Sequence, residues 1–211
     1  MILTPISDIA LPATLDRLQQ TLGNDAARRI FSRIAKLADA MRAAGPLAIV
    51  HREQACAIAG EHGIAVCPGS PALDFSWNGE VLRGDTEAYV LLHEIAHFQL
   101  AAPMRRRTID FGLGAGPETG DRSTADRVAC LFGIAREREE AMASLLGILW
   151  EVELAQPALA SFLDQNWLEG AGSPAAASHF ETILAALHGG GFIDGNGRPT
   201  RHLREAPDTV N

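Results

Sequence analysis

The helical repeat makes His93-Glu94-Ile95-Ala96-His97 the strongest constraint on this chain. Residues four apart on an α-helix lie one above the other, so two imidazoles from this string reach a single point. The glutamate beside the first histidine then lies next to whatever a metal at that point would hold. The flanks support a helix. Thr86 to Leu92 and Phe98 to Ala102 are dominated by apolar residues, with no Gly or Pro between them. This pattern predicts a buried helix from about 86 to 101, capped by Asp85 or Thr86 and ended before Pro103. Two histidines and a glutamate inside so apolar a segment must be satisfied, by a metal ion or by backbone hydrogen bonds in an ordinary core.

Length and composition narrow the class. The chain has 211 residues, 47% of them hydrophobic, and a mean hydropathy of +0.04, which suits a folded domain with a sizeable core. The formal net charge of −8 argues against nucleic acid as a partner. The longest uncharged apolar run, Ala141 to Trp150, is too short to span a bilayer, so no membrane role is expected. No charged, apolar leader opens the sequence, and cytoplasmic residence is the default expectation. Cys56, Cys67 and Cys130 are odd in number and lack ligand spacing, which reads as idle thiols in a reducing compartment.

Element by element, residues 13 to 22 form a short helix, and Asn24 caps a second. In that one Ile30, Phe31, Ile34, Leu37, Ala38 and Met41 recur at helical spacing up to Gly45-Pro46. Leu47 to Val50 reads as a strand, followed by a helix near 52 to 61 and a strand over Ile64 to Cys67. Asn78-Gly79 between Leu73–Trp77 and Glu80–Arg83 is a hairpin signal. A small mixed or antiparallel sheet therefore precedes the histidine helix, an order in which an edge strand can hold an extended substrate beside a metal. Later helices are expected over 125 to 136, 139 to 154, 157 to 168 and 175 to 188, with Leu145, Leu149 and Val152 buried. Phe192 to Leu203 reads as a hairpin and the tail from Glu205 as disordered. The fold class is α+β, mainly helical, with the enzyme unit over residues 1 to 168. Residues 169 to 211 are read as a linker, a helix with hairpin, and a tail.

Two histidines leave a metal site incomplete, and a carboxylate usually finishes it. Glu137, Glu139 and Glu140 head an apolar helix able to cross the first, and Glu139 and Glu140 are the leading metal candidates. Any of the three also fits a solvated helix start. Glu118 and Asp121, in a Gly-rich loop, are weaker. Asp110 suits the orientation of a ligand histidine through its other ring nitrogen. Arg105 and Arg106 are candidates for anchoring an acidic substrate or partner, although three arginines after a helix end more often form a solvated face. His51, His62, His179, His188 and His202 show no ligand spacing.

These residues also carry a family resemblance. His93-Glu94-Ile95-Ala96-His97-Phe98, then Ala101-Ala102, Arg105-Arg106 and Asp110-Phe111-Gly112, resemble elongation factor P hydroxylase. A glutamate-led helix at Glu139-Glu140 follows there too. The likeness covers residues 93 to 150, and Leu113-Gly114-Ala115-Gly116 replace an aromatic cluster of that family. The resemblance implies an iron-dependent oxygenase that hydroxylates a modified lysine on elongation factor P. It implies metal ligation by His93, His97 and one downstream glutamate, with Glu94 beside them.

Two histidines and a carboxylate serve either of two chemistries. With iron(II) they suit a hydroxylase. With zinc they suit a metallopeptidase or other hydrolase in which Glu94 is the general base, on a zincin-like helical scaffold. A protein or peptide substrate is expected in both, and the resemblance implies elongation factor P for the hydroxylase. A third reading is an inert binding module on the same fold, against which the intact His93, Glu94 and His97 count.

Overall fold

The computed structural model describes residues 6–67, 74–117 and 119–208. Its helices are α1 (Leu11–Thr21), α2 (Asp25–Ile34), α3 (Pro46–Glu61), α4 (Ala88–Leu100), α5 (Arg122–Arg127), α6 (Gly133–Glu153), α7 (Ala158–Asp164) and α8 (Pro174–Gly189). Two short strands, β1 (Ala65–Cys67) and β2 (Val81–Arg83), pair in parallel with Ala65 opposite Val81. The protein is mainly helical with a small sheet, in keeping with the α+β expectation. None of the described helices is long and apolar enough to cross a membrane.

The histidine helix α4 and helix α6 form the centre. Leu91, Leu92, Ile95, Ala96 and Leu100 of α4 are buried, as befits a helix that is apolar nearly all round. Leu145, Leu146, Ile148 and Leu149 of α6 pack into the same core. The two helices come closest at Gly147, where an added Cβ would lie 3.2 Å from His93 Cα and N. Helix α3 covers another side of α4 with Ala55, Ile58 and Ala59. Around α6, α2, α7 and α8 meet through Phe31, Phe162 and Phe180, with ring centroids 5.7 to 6.0 Å apart. Helix α8 adds Ile183, Leu184 and Leu187 to this one hydrophobic core.

The fully buried Gln99 ties three parts of the chain together. Its side-chain oxygen accepts from Trp150 Nε1, its amide donates to the carbonyls of Thr200 and His202, and its own carbonyl accepts from Arg204 N. Buried amide groups that satisfy all their partners fix a single register. Residues 205–208 continue this segment, and Asp208 accepts from Arg105 Nε at 2.6 Å, so the tail is fixed further than its composition suggests.

Several expectations need correction. Leu47 to Val50 are the first turns of α3, not a strand, and Leu47, Ile49 and Val50 are exposed. Gly45 at φ 58 followed by Pro46 starts the helix there, because proline's fixed φ is preorganised for the first helical position. Helix α2 ends at Ile34, so Leu37 and Met41 are exposed and do not extend its buried face. The segment after it is instead drawn in by Arg42, which reaches Ser161 and Asp164. The cap of α4 is Glu87 without a side-chain bond, since Asp85 is taken by Arg83. In the expected hairpin, Asn78 Oδ1 accepts from Glu80 N and Val81 N, and Trp77 bridges Leu82 antiparallel. Leu73, its far end, lies outside the described residues. The small sheet is thus mixed, with a parallel β1–β2 pair and one antiparallel bridge.

Candidate metal centre

Helical geometry brings the two imidazoles together as the motif requires. His93 Nε2 and His97 Nε2 lie 3.0 Å apart, with the rings nearly perpendicular. Helix α6 adds one carboxylate: Glu140 Oε2 is 3.3 Å from His97 Nε2 and 3.7 Å from His93 Nε2. Ligand atoms of His93, His97 and Glu140 all lie within 4.8 Å of one another. Glu140 is two helical turns before Gly147 on the same face, so the close approach at that glycine is what delivers the carboxylate.

Glu139 has a different place. Its carboxylate is clasped by the Arg105 guanidinium, and its Oε1 is 3.9 Å from His97 Nδ1, on the side of the ring away from Glu140. Adjacent helix positions point about 100° apart, so one residue faces the ligand nitrogens and its neighbour supports the ring from behind. Of the two leading candidates, the cluster therefore contains Glu140 and not Glu139.

Electrostatics follow the same division. Burial alone would lower His97, but the carboxylates of Glu139, Glu140 and Glu94 outweigh it and push the imidazole up to about 10. Burial dominates at His93 and lowers it. Burial also opposes ionisation of Glu140 and Glu139, yet hydrogen-bonding partners hold both below the usual carboxylate range: His93 and His97 for Glu140, His97 and Arg105 for Glu139.

The Asp110-Phe111-Gly112 turn supports the centre by shape. All three residues have positive φ (43, 55 and 70), which is rare for aspartate and more so for phenylalanine. Its carbonyls are satisfied: Arg105 donates to Phe111 O, and Cys130 N donates to Gly112 O. The unusual backbone places the Phe111 ring between Trp77, 5.5 Å away and parallel, and His97, 5.8 Å away. Such strained turns persist where surroundings over-determine them, often at functional sites. Asp110 does not orient a histidine as expected. Its carboxylate accepts from Trp77 N and the Thr119 hydroxyl, and burial raises its pKa. The place behind His97 is occupied by Glu139, which Arg105 holds 3.9 Å from Nδ1, without a hydrogen bond to the ring.

The arginines are engaged inside the fold. Arg105 is buried between Glu139, Asp208 and Phe111 O, and Arg106 donates to Phe98 O and Arg204 O. Neither guanidinium lines the cleft over the metal cluster. Asp121 caps α5 through Thr124 N, Glu137 is exposed, and Glu118 lies outside the described residues. The three cysteines form no disulfide, Cys56 and Cys67 being half-buried and Cys130 exposed.

Above His93, His97 and Glu140 opens a cleft of about 370 Å³, with Glu94, Tyr89, Val90, Phe111 and Leu113 on its walls. The Gly-rich segment after Phe111 forms one wall and is tied down at several points. Ala115 N donates to Asp126, Gly116 N to Thr119 Oγ1, and Gly120 N to Asp74 O. Two imidazole nitrogens 3.0 Å apart and a carboxylate oxygen converge at one point, a donor set that suits a cation once the imidazoles give up their protons. The donor set thus fits a metal ion, with one side open to the cleft. Sequence reasoning missed the roles of Phe111 and Arg105; their offsets from the histidines were the available signal. No protein-family model, curated protein or solved structure matches the chain.

Proposed function

We propose that this chain is a mononuclear metalloenzyme of the hydroxylase type, in which His93, His97 and Glu140 hold one divalent ion at the floor of the cleft. The observation that carries the reading is the convergence of those three side chains from two helices within 4.8 Å. The residues that carry the resemblance to elongation factor P hydroxylase support it. Arg105 steadies Glu139 behind His97, and Phe111 stacks on the same imidazole. They therefore bear on the metal centre, while the cleft wall at Leu113 to Gly116 is this chain's own. The substrate we assign is a protein or peptide, with elongation factor P the first to test.

Each residue has a stated part. His93 and His97 offer Nε2, and Glu140 offers a carboxylate oxygen. Glu139, on the Nδ1 side of His97, places negative charge behind the ring, where it would support the imidazole of a bound cation. Bound there, iron(II) would supply dioxygen chemistry and zinc would supply Lewis acidity toward water. Phe111 and Leu113 line the cleft and limit water around the reacting group. A second reading, zinc-dependent amide hydrolysis, is favoured by Glu94. Its carboxylate lines the same cleft, where a general base takes the proton of the attacking water.

Metal content of protein purified without chelator, beside His97→Ala, tests the reading. Stoichiometric iron lost in the variant is the expected result. Stoichiometric zinc lost in the variant moves the assignment to the hydrolase. No metal in the parent, or equal metal in the variant, overturns both. Glu94→Gln is expected to keep the metal and, if the chain is a hydrolase, to abolish turnover.

A further inference from the structure

The cleft is not alone in being lined by the metal ligands. On the other side of His93 and Glu140 lies a second cavity of about 570 Å³, bounded by those two residues and by Ser144, Gln165, Trp167 and His179. The two cavities share His93, Glu140 and Gln165, so the ligand pair forms a ridge between them. Each is the size of a site for a drug-sized ligand. A small substrate needs one blind pocket, whereas a centre reached from both sides suits a chain that crosses it.

Charge restricts that chain. Among the described residues, no lysine or arginine lines either cavity, while Glu94, Asp110, Glu140 and the Arg42-paired Asp164 line the first and Glu140 and Glu169 the second. Anionic polymers are repelled by such walls. In the second cavity a sugar chain lacks a platform, because Trp167 is sandwiched between Phe162 at 5.7 Å and His179 at 5.3 Å, both nearly parallel to it. Peptide groups do find partners. Among the described residues, the side-chain amides of Gln165 and Asn166 make no hydrogen bond within the protein. Asn166 holds the corner between them and Trp167 at φ 62, a conformation that asparagine tolerates.

We infer that the metal centre is the crossing point of a two-sided groove for an extended polypeptide segment of neutral or basic residues, with Gln165 at the crossing. This rests on the metal-centre reading above, and the test separates the two. Binding to zinc-loaded protein is measured for acetohydroxamate and for hydroxamate pseudopeptides with alanine residues on one side, on the other, or on both. Acetohydroxamate is expected to bind the parent and not His97→Ala. Each flank is expected to raise affinity by roughly tenfold, and both together to multiply. Lysine in the flanks should bind at least as well as alanine, and aspartate about tenfold less well at low salt. Ala176→Trp, which fills the second cavity, should remove the gain from one flank and spare the other. Failure of acetohydroxamate to bind the parent overturns the metal-centre reading. Acetohydroxamate binding without gain from a second flank, equal binding of aspartate flanks, or preference for a neutral oligosaccharide hydroxamate overturns the groove.

Discussion

The two ends of α6 each sink a carboxylate into the protein, with opposite results. Near its start, Glu139 and Glu140 are held below their usual range by the histidines and Arg105. In its last turn, Glu151 is 2% exposed, and burial pushes it up to about 7. The Ser161 hydroxyl and Arg42 oppose that rise, but Arg42 is 3.3 Å from Glu151 and only 2.8 Å from Asp164, so its charge is shared. Residue type does not decide whether a buried carboxylate is an anion; the count and closeness of cationic neighbours do.

The sharpest test of the comparison is at its metal end. Glu140→Gln should weaken metal retention by more than about a hundredfold, whereas Glu139→Gln, which acts through His97, should cost about 10- to 100-fold. Titration with a metal-sensitive dye distinguishes them, and equal losses would refute the division of roles. Next in size, Arg105→Met leaves the buried Glu139 without its guanidinium, while Asp208 keeps Arg204, and should cost about 3–5 kcal/mol in urea unfolding.

The far end predicts a pH dependence of defined sign. Glu151 rises on folding from 4.5 to about 7, so its contribution is fully present below about pH 4.5 and is lost as pH rises through about 7. That loss is on the order of 3 kcal/mol, and Glu151→Gln should flatten it in thermal unfolding between about pH 5 and pH 8. If the parent and variant keep parallel pH profiles, Glu151 is ionised in the fold after all. Gly147→Ala crowds His93 at the junction of the two helices and should cost about 1–3 kcal/mol, offset in part by better helix propensity. Smallest is Asp208→Asn, whose partly exposed carboxylate should contribute no more than about 1 kcal/mol to stability.

Much of the centre was legible because its signals are local. The four-residue spacing of His93 and His97 fixes both rings on one face whatever surrounds them, and an apolar helix led by Glu139-Glu140 announces a partner able to cross it. The misread elements share a different cause. Leu47 to Val50 are apolar, and the β-branched Ile49 and Val50 suit a strand, but Gly45-Pro46 starts a helix and the packing of Ala55, Ile58 and Ala59 on α4 extends it. Leu37 and Met41 keep helical spacing with α2, yet Arg42 pulls their segment toward α7. In both places a contact remote in sequence outweighs propensity.

What the sequence determined by itself is the existence of the histidine pair, the helical class and the set of carboxylates able to complete a site. Choosing among those carboxylates needed tertiary structure. Glu139 and Glu140 are chemically identical and adjacent, so no spacing rule ranks them. The rotation of α6 about its axis, set by Gly147 against His93 and by Arg105 against Glu139, turns one toward the ligand nitrogens and the other behind the ring. That rotation is a property of packed helices, and it is absent from either helix alone.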